Sequence, residues 1–169
     1  GLGIENPDEV LRKEAHKDWF VDVKIKDVIA RIENAGIGVG ANYIFGLPND
    51  TVHSMQNTLD FAIENSTDMA NFYSAMAYPG SPLYLQAKKD SIDLPSSYSG
   101  YSQHSYDTLN MSNENLTAAQ ILEFRDSAWD KYHTKSKYLT QLETKFGQAS
   151  RKELEQTTTV KLKRKILGD

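Results

Sequence analysis

Apolar residues occur in short runs and helical stripes along the first half of the chain. Residues 1–4 are a brief apolar stretch, followed by Glu5-Asn6-Pro7-Asp8-Glu9. Asn6 suits an N-cap, Pro7 the first helical position, and Asp8 and Glu9 the positive end of a helix with Val10 and Leu11 as apolar contacts. Residues 13–20, KEAHKDWF, read as a loop. Ile25, Val28, Ile29 and Ile32 recur at the spacing of one buried helix face, and Gly36 ends that helix as a left-handed cap. Residues 37–47 read as a strand apolar on both faces, as expected of a parallel strand covered by helices. Asp50 or Thr51 caps the next helix, whose apolar positions are Val52, Met55, Leu59, Ala62 and Ile63. A polar link at residues 65–68 leads to a strand at residues 69–78. The turn Tyr78-Pro79-Gly80-Ser81-Pro82 then starts a short helix through Ala87, with Ser81 as N-cap and Pro82 as its first residue.

Strand and helix alternate with short links, which implies right-handed βαβ units and a parallel sheet. The pattern changes after residue 88. Residues 89–115 are polar and rich in serine and tyrosine, and read as an irregular excursion. Thr117 with Gln120 makes a capping box for a helix carrying Ile121, Leu122, Phe124, Ala128, Trp129 and Tyr132. A short helix around residues 138–146 ends at Gly147, and Ser150 with Glu153 suggests a second capping box for a final helix toward Leu167. Lys161, Lys163, Arg164 and Lys165 read as a solvated face in its last turns. Three parallel strands leave two sheet edges, which normally continue or are covered. The fold class is therefore α/β: a partial, TIM-like (β/α) barrel half in residues 1–88, a polar loop in 89–115 and a helical extension in 116–169. A small self-standing open sheet is the alternative. The start at Gly1, inside a strand, suits a fragment.

Composition narrows the function. With 169 residues, 39% apolar and 25% charged, the chain has a globular composition. A net charge of -4 argues against general nucleic-acid binding. No apolar run approaches a membrane span and no signal-peptide pattern opens the chain, so a cytoplasmic location is expected. The sequence has no cysteine, which excludes disulfides and thiolate-held zinc or iron–sulfur sites within it. His16, His53, His104 and His133 show no metal-ligand spacing, and no serine–histidine pair suggests a hydrolase triad.

Ligands of parallel α/β folds bind at the carboxyl ends of the strands. That rule selects Glu5-Asn6, the turn from Gly46 to Asp50, and the turn from Ala77 to Ser81. Each precedes a helix N-terminus, which favours an anion or polar acceptor. Gly46 lacks a Cβ, so a flat group would have room to lie against it. Each residue also has a plainer role as a cap, turn former or strand stop. Tyr98, Tyr101, His104 and Tyr106 suit a loop packed against the sheet, or the mouth of a substrate site.

The motifs GLGIEN with PDEVL, then NAGIGVGANYIFGLPNDT, then AYPGSPLY resemble, in order and spacing, the carboxyl half of the radical S-adenosylmethionine (radical SAM) barrel. The subgroup with a cobalamin-binding domain ahead of the barrel is the most similar, and the tail from Leu116 to Gly147 is similar to its helical extension. The resemblance implies a [4Fe–4S] cluster held by a CxxxCxxC motif that this chain lacks. It also implies reductive cleavage of SAM to a 5′-deoxyadenosyl radical, followed by hydrogen-atom abstraction or methyl transfer. This chain would then be the carboxyl part, partnered by a missing amino-terminal half and acting on a small-molecule or biosynthetic-intermediate substrate. Glu5 matches the acidic residue near the ribose, Asn42, Ile44 and Gly46 the strand flanking adenine and methionine, and Tyr78 and Pro79 the turn at the adenine edge. Asp50 falls where the family motif GLPGET has its glutamate. Asn6 stands for the usual serine, and Asn49-Asp50 for Gly-Glu. A self-standing α/β module that holds a nucleotide or phosphate at helix N-termini, without redox chemistry, is the reading from a different class.

Overall fold

The computed structural model describes residues 1–14 and 23–169. Strands β1 (Leu2–Glu5), β2 (Gly40–Phe45) and β3 (Met69–Ser74) form one parallel sheet in sequence order. Helices α1 (Glu9–Glu14) and α2 (Ile25–Asn34) lie between β1 and β2, α3 (Val52–Glu64) between β2 and β3, and α4 (Pro82–Lys89) follows β3. Helices α5 (Ala118–His133), α6 (Ser136–Phe146) and α7 (Gln148–Thr157) make up the carboxyl-terminal part. The fold is thus α/β with three parallel strands and a helical end, as the alternation implies.

One face of the sheet carries the core. Ile4, Ala41, Tyr43, Phe45, Ala70 and Phe72 are buried there against Ile29 of α2, Met55 and Leu59 of α3, and Ile121 and Tyr132 of α5. Phe72 stacks on Phe45 and Tyr43 at 5.6 Å and 5.5 Å between ring centres, and Phe124 meets Phe45 edge-on at 5.0 Å. Such rings contribute specific packing beyond the area that they bury.

The opposite face is bare among the described residues. Gly3 and Asn71 are exposed, and Gly40, Asn42, Ile44 and Tyr73 only half-buried. The expectation of a β2 covered on both faces fails for this reason: its alternation is Ala41, Tyr43 and Phe45 inward against Gly40, Asn42 and Ile44 outward. The strands are also shorter than the apolar runs, because residues 37–39 and 75–78 leave the ladder.

Local chemistry sets the helix starts. Thr51, not Asp50, caps α3: its side chain accepts from Ser54 N at 3.1 Å while Ser54 Oγ accepts from Thr51 N at 2.8 Å. Val52 in the first turn faces solvent, while Met55, Leu59 and Ala62 are buried. Ser81 caps α4 with Pro82 at its first position, and Thr117 and Gln120 form the expected box on α5. Asp8, rather than Asn6, caps α1, its Oδ1 accepting from Val10 N at 2.8 Å. Leu11 is buried as expected, but Val10 is exposed. Of the expected loop at residues 13–20, Lys13 and Glu14 belong to α1 and the rest lies outside the described residues.

The carboxyl end departs most from the pattern. Ser150 lies inside α7, where its hydroxyl donates to Phe146 O, so no second capping box forms. Helix α7 stops at Thr157, and residues 158–164 run as an irregular strap. The basic run is therefore not a helix face, and Arg164 within it is completely buried.

Candidate functional site

The carboxyl ends of the strands carry three turns, each held by its own network. After β1 the register slips between Gly3 and Glu5, and Glu5 has a φ of 61°. Few side chains hold the left-handed region without support, so this is a backbone position that the surroundings impose. Asn6 follows, wholly buried. Its Oδ1 accepts from Asp8 N at 2.8 Å, and Arg12 Nη1 donates to its carbonyl at 3.0 Å and to that of Pro7 at 2.7 Å. Asn6 thus fixes the path into α1 from inside the protein, one turn before the cap.

The second turn is built around Asp50, which is fully buried. Gly46 N donates to its Oδ2 at 2.9 Å, and the Ser54 hydroxyl donates to its Oδ1. Burial raises the Asp50 pKa, opposed by the hydrogen bonds from Ser54, Gly46, Thr51 and Leu47. From outside, Asn113 Nδ2 donates to the carbonyls of Leu47 at 2.9 Å and Asp50 at 3.0 Å. Asn115 Nδ2 donates to Asp50 O at 3.2 Å. Asp50 therefore acts as an internal brace that closes the loop over Gly46, and two asparagines of the polar excursion hold the loop in place.

Gly46 has a φ of 78°, and a Cβ there would meet Ile121 of α5 at 2.6 Å. Its missing side chain makes room for α5 on the covered face of the sheet. The need for glycine is met by packing and backbone conformation, so substituting Gly46 perturbs the fold before it reports on any ligand.

In the third turn Tyr78 and Pro79 are exposed, and the Ser81 hydroxyl donates to Tyr78 O at 2.8 Å. The Tyr78 ring lies 6.0 Å from that of Tyr101, which brings the polar excursion to the strand ends. Tyr98 of the same cluster points into solvent, and the exposed Tyr106 turns to the carboxyl terminus, its hydroxyl donating to Asp169 O at 3.0 Å.

The bare face lies behind these turns. Asn42 stands in register with Gly3 on one side and Asn71 on the other. Asn71 Nδ2 donates to Asn42 Oδ1 at 2.9 Å, and Asn42 Nδ2 donates to Leu2 O at 3.3 Å, so a ladder of amides crosses all three strands. Ile44 pairs with Tyr73 one step nearer the carboxyl ends. Of the residues expected at a site, Asn42 and Ile44 share this face, Glu5 ends β1, Tyr78 and Pro79 lie exposed in the third turn beside Tyr101, and Gly46 turns toward α5. Asn71 and Tyr73 went unnoticed, although they alternate with the buried Ala70, Phe72 and Ser74 along β3. Gln103, Asn113 and Asn115 left no local signal, since their partners are far away in sequence.

A face of small residues and amides beside strand-end turns suits the hydroxyls and ring edges of a nucleoside, which need both donors and acceptors. No group of side chains among the described residues is arranged to hold a metal ion. No helix among them is long and apolar enough to cross a membrane.

No family model matches the chain. The hopanoid C-2 methylase of Rhodopseudomonas palustris (strain TIE-1) is 28% identical over 89 residues, which is 53% of this chain and 17% of that protein. The chain thus spans less than a fifth of the relative that it matches.

Proposed function

We propose that this chain is the carboxyl part of a radical SAM barrel and supplies the nucleoside side of the SAM site. The observation that carries the reading is the bare amide face, Asn42 and Asn71 beside Gly3, lying directly behind three strand-end turns. A sheet that buries one face under helices and leaves the other polar has the build of a barrel wall. The likeness to the methylase points the same way.

In this reading SAM, when bound, supplies the radical chemistry, and this chain binds and orients it. Asn42 is the central polar group. Its carbonyl already accepts from Asn71, which fixes the amide so that its orientation toward a ribose or adenine is set before binding. Ile44 and Tyr73 offer apolar surface for the adenine plane. Glu5 and the Tyr78-Pro79 turn close the two ends of the site. Asp50 takes no part in contact and holds the Gly46 turn from beneath.

The chain has no cysteine, so a [4Fe–4S] cluster would belong to an amino-terminal half pairing along β1. Leu2, Ile4, Val23, Ile25 and Val28 line an apolar cleft of about 100 Å³ there. A cobalamin would likewise belong to parts of the protein outside this chain. The substrate is a small molecule held mainly by the other half.

The phosphate-module reading is the weaker one. The helix starts that it needs use their own donors: Ser54 N is taken by Thr51 and Tyr84 N by Ser81, and the Asp50 carboxyl lies beneath α3. The test joins this chain to a cysteine-bearing amino half and measures SAM binding and 5′-deoxyadenosine release under reducing conditions. Saturable binding with release is expected; a folded, cluster-loaded barrel that neither binds nor cleaves SAM would overturn the reading.

A further inference from the structure

The basic tail hides one of its cations. Lys161, Lys163 and Lys165 are exposed, while Arg164 is fully buried. Its guanidinium forks onto Asp126 of α5, Nε donating to Oδ2 at 2.8 Å and Nη2 to Oδ1 at 2.9 Å. Nη1 donates to Ser105 O at 3.0 Å and reaches the Thr108 hydroxyl oxygen at 3.4 Å. Beside it, Lys165 N donates to Tyr106 O at 3.0 Å. One side chain therefore joins the terminal strap, α5 and the serine- and tyrosine-rich segment.

That segment acts at the strand ends. The Gln103 side-chain amide pairs with Ser74 as the peptide of a fourth strand would: Ser74 N donates to its Oε1 at 3.1 Å, and its Nε2 donates to Ser74 O at 3.0 Å. Two residues before it, Tyr101 meets Tyr78 of the third turn. Asp126 also accepts from Arg125 Nη1 at 2.7 Å, and Arg125 Nε donates to Phe72 O at 2.7 Å. The network thus touches β3 at both Phe72 and Ser74.

We propose that Arg164 is a positioning residue: it latches the segment carrying Tyr101 and Gln103 so that they close the outer edge of β3 and form the wall beside Tyr78. An arginine suits the task because its planar fork grips the Asp126 carboxylate while a third nitrogen reaches a carbonyl on another segment. Lysine has one nitrogen and cannot bridge both. That this wall borders a SAM site rests on the function proposed above; the latch itself does not.

The test compares Arg164→Ala, Arg164→Lys and Asp126→Asn with the unchanged chain, using the exposed Lys165→Ala as control. Amide hydrogen exchange is followed at Ser74, which donates to Gln103, and at Leu109, which donates to Gly100 within the segment. Ala75, which donates to Phe45 just past the end of β3, is the near reference, and Asn65, which donates to Phe61 at the end of α3, the distant one. Both Arg164 variants should exchange Ser74 and Leu109 roughly tenfold faster or more, with Ala75 and Asn65 changed by less than about twofold. Asp126→Asn should act in the same direction more weakly, and Lys165→Ala should match the unchanged chain. Three results would overturn the latch: no change at Ser74, full rescue by lysine, or all four amides speeding up by one common factor, which would mean global stability alone. If Arg164→Ala does not fold, Asp126→Asn carries the same comparison. No ligand enters these measurements, so their failure leaves the SAM reading standing, and failure to bind SAM leaves the latch standing.

Discussion

The two faces of the sheet come from the same three strands and have opposite characters. On one face Tyr43, Phe45 and Phe72 stack under α3 and α5, with every aromatic ring buried. On the other, one residue along each strand, the Asn71 and Asn42 amides link across to the Leu2 carbonyl beside Gly3, with no helix above them among the described residues. The first face holds the fold together, and the second is the face proposed to bind the nucleoside. Amides that already bond to each other lose little by facing solvent and remain oriented for a ligand.

The contrast breaks most sharply on substitution. Phe72→Ala should cost about 3–5 kcal/mol in chemical denaturation, because it empties the centre of the ring stack. Its neighbour on the bare face, Asn71→Ala, should cost no more than about 1 kcal/mol by the same measurement. Equal losses at the two positions would erase the distinction between the faces.

Gly46 sharpens it next. Gly46→Ala should cost about 2–4 kcal/mol, from the clash with Ile121 and the left-handed backbone. Since the clash lies on the covered face, Ile121→Ala in the same chain should make the pair less damaging than the sum by more than about 1 kcal/mol. Additive losses would place the defect elsewhere.

The smallest effect concerns Asp50, beneath the second turn. Its pKa is raised above the ordinary 3.8, so the folded protein binds its proton more tightly than the unfolded chain does. The stability that this group contributes is complete below 3.8 and is lost as pH rises through the raised value. Asp50→Asn should remove that decline, seen as a pH-dependent difference in stability between the two chains. A difference that stays flat with pH would mean that the carboxyl titrates as if in water.

Much of the covered face was legible in the sequence. Ile29, Met55, Leu59 and Ala62 follow from helical spacing, and the caps at Thr117 and Ser81 follow from residue type, because those interactions lie within one or two turns. The bare face was half legible. Asn42 was singled out through its motif, while Asn71 lay inside a strand whose outward positions were not separated from its inward ones. Asp50 was read as one of two possible caps or as a support of the pocket; the closed loop shows that Thr51 is the cap and that Asp50 binds Gly46. Arg164 was unreadable. Three exposed lysines set the character of the run, and its partners Asp126 and Ser105 lie 38 and 59 residues away. Interactions that the chain makes with distant segments leave no period to read.

The central claim is that the bare face receives the SAM nucleoside. Its most direct test is SAM binding by the joined barrel with and without Asn42→Leu. Leucine keeps the size of the side chain and removes both polar atoms from a half-exposed position. The account predicts a stability loss of no more than about 1–2 kcal/mol, from the two amide bonds removed, and a loss of SAM affinity of about tenfold or more. Equal affinity in the two proteins, with both folded, would contradict it.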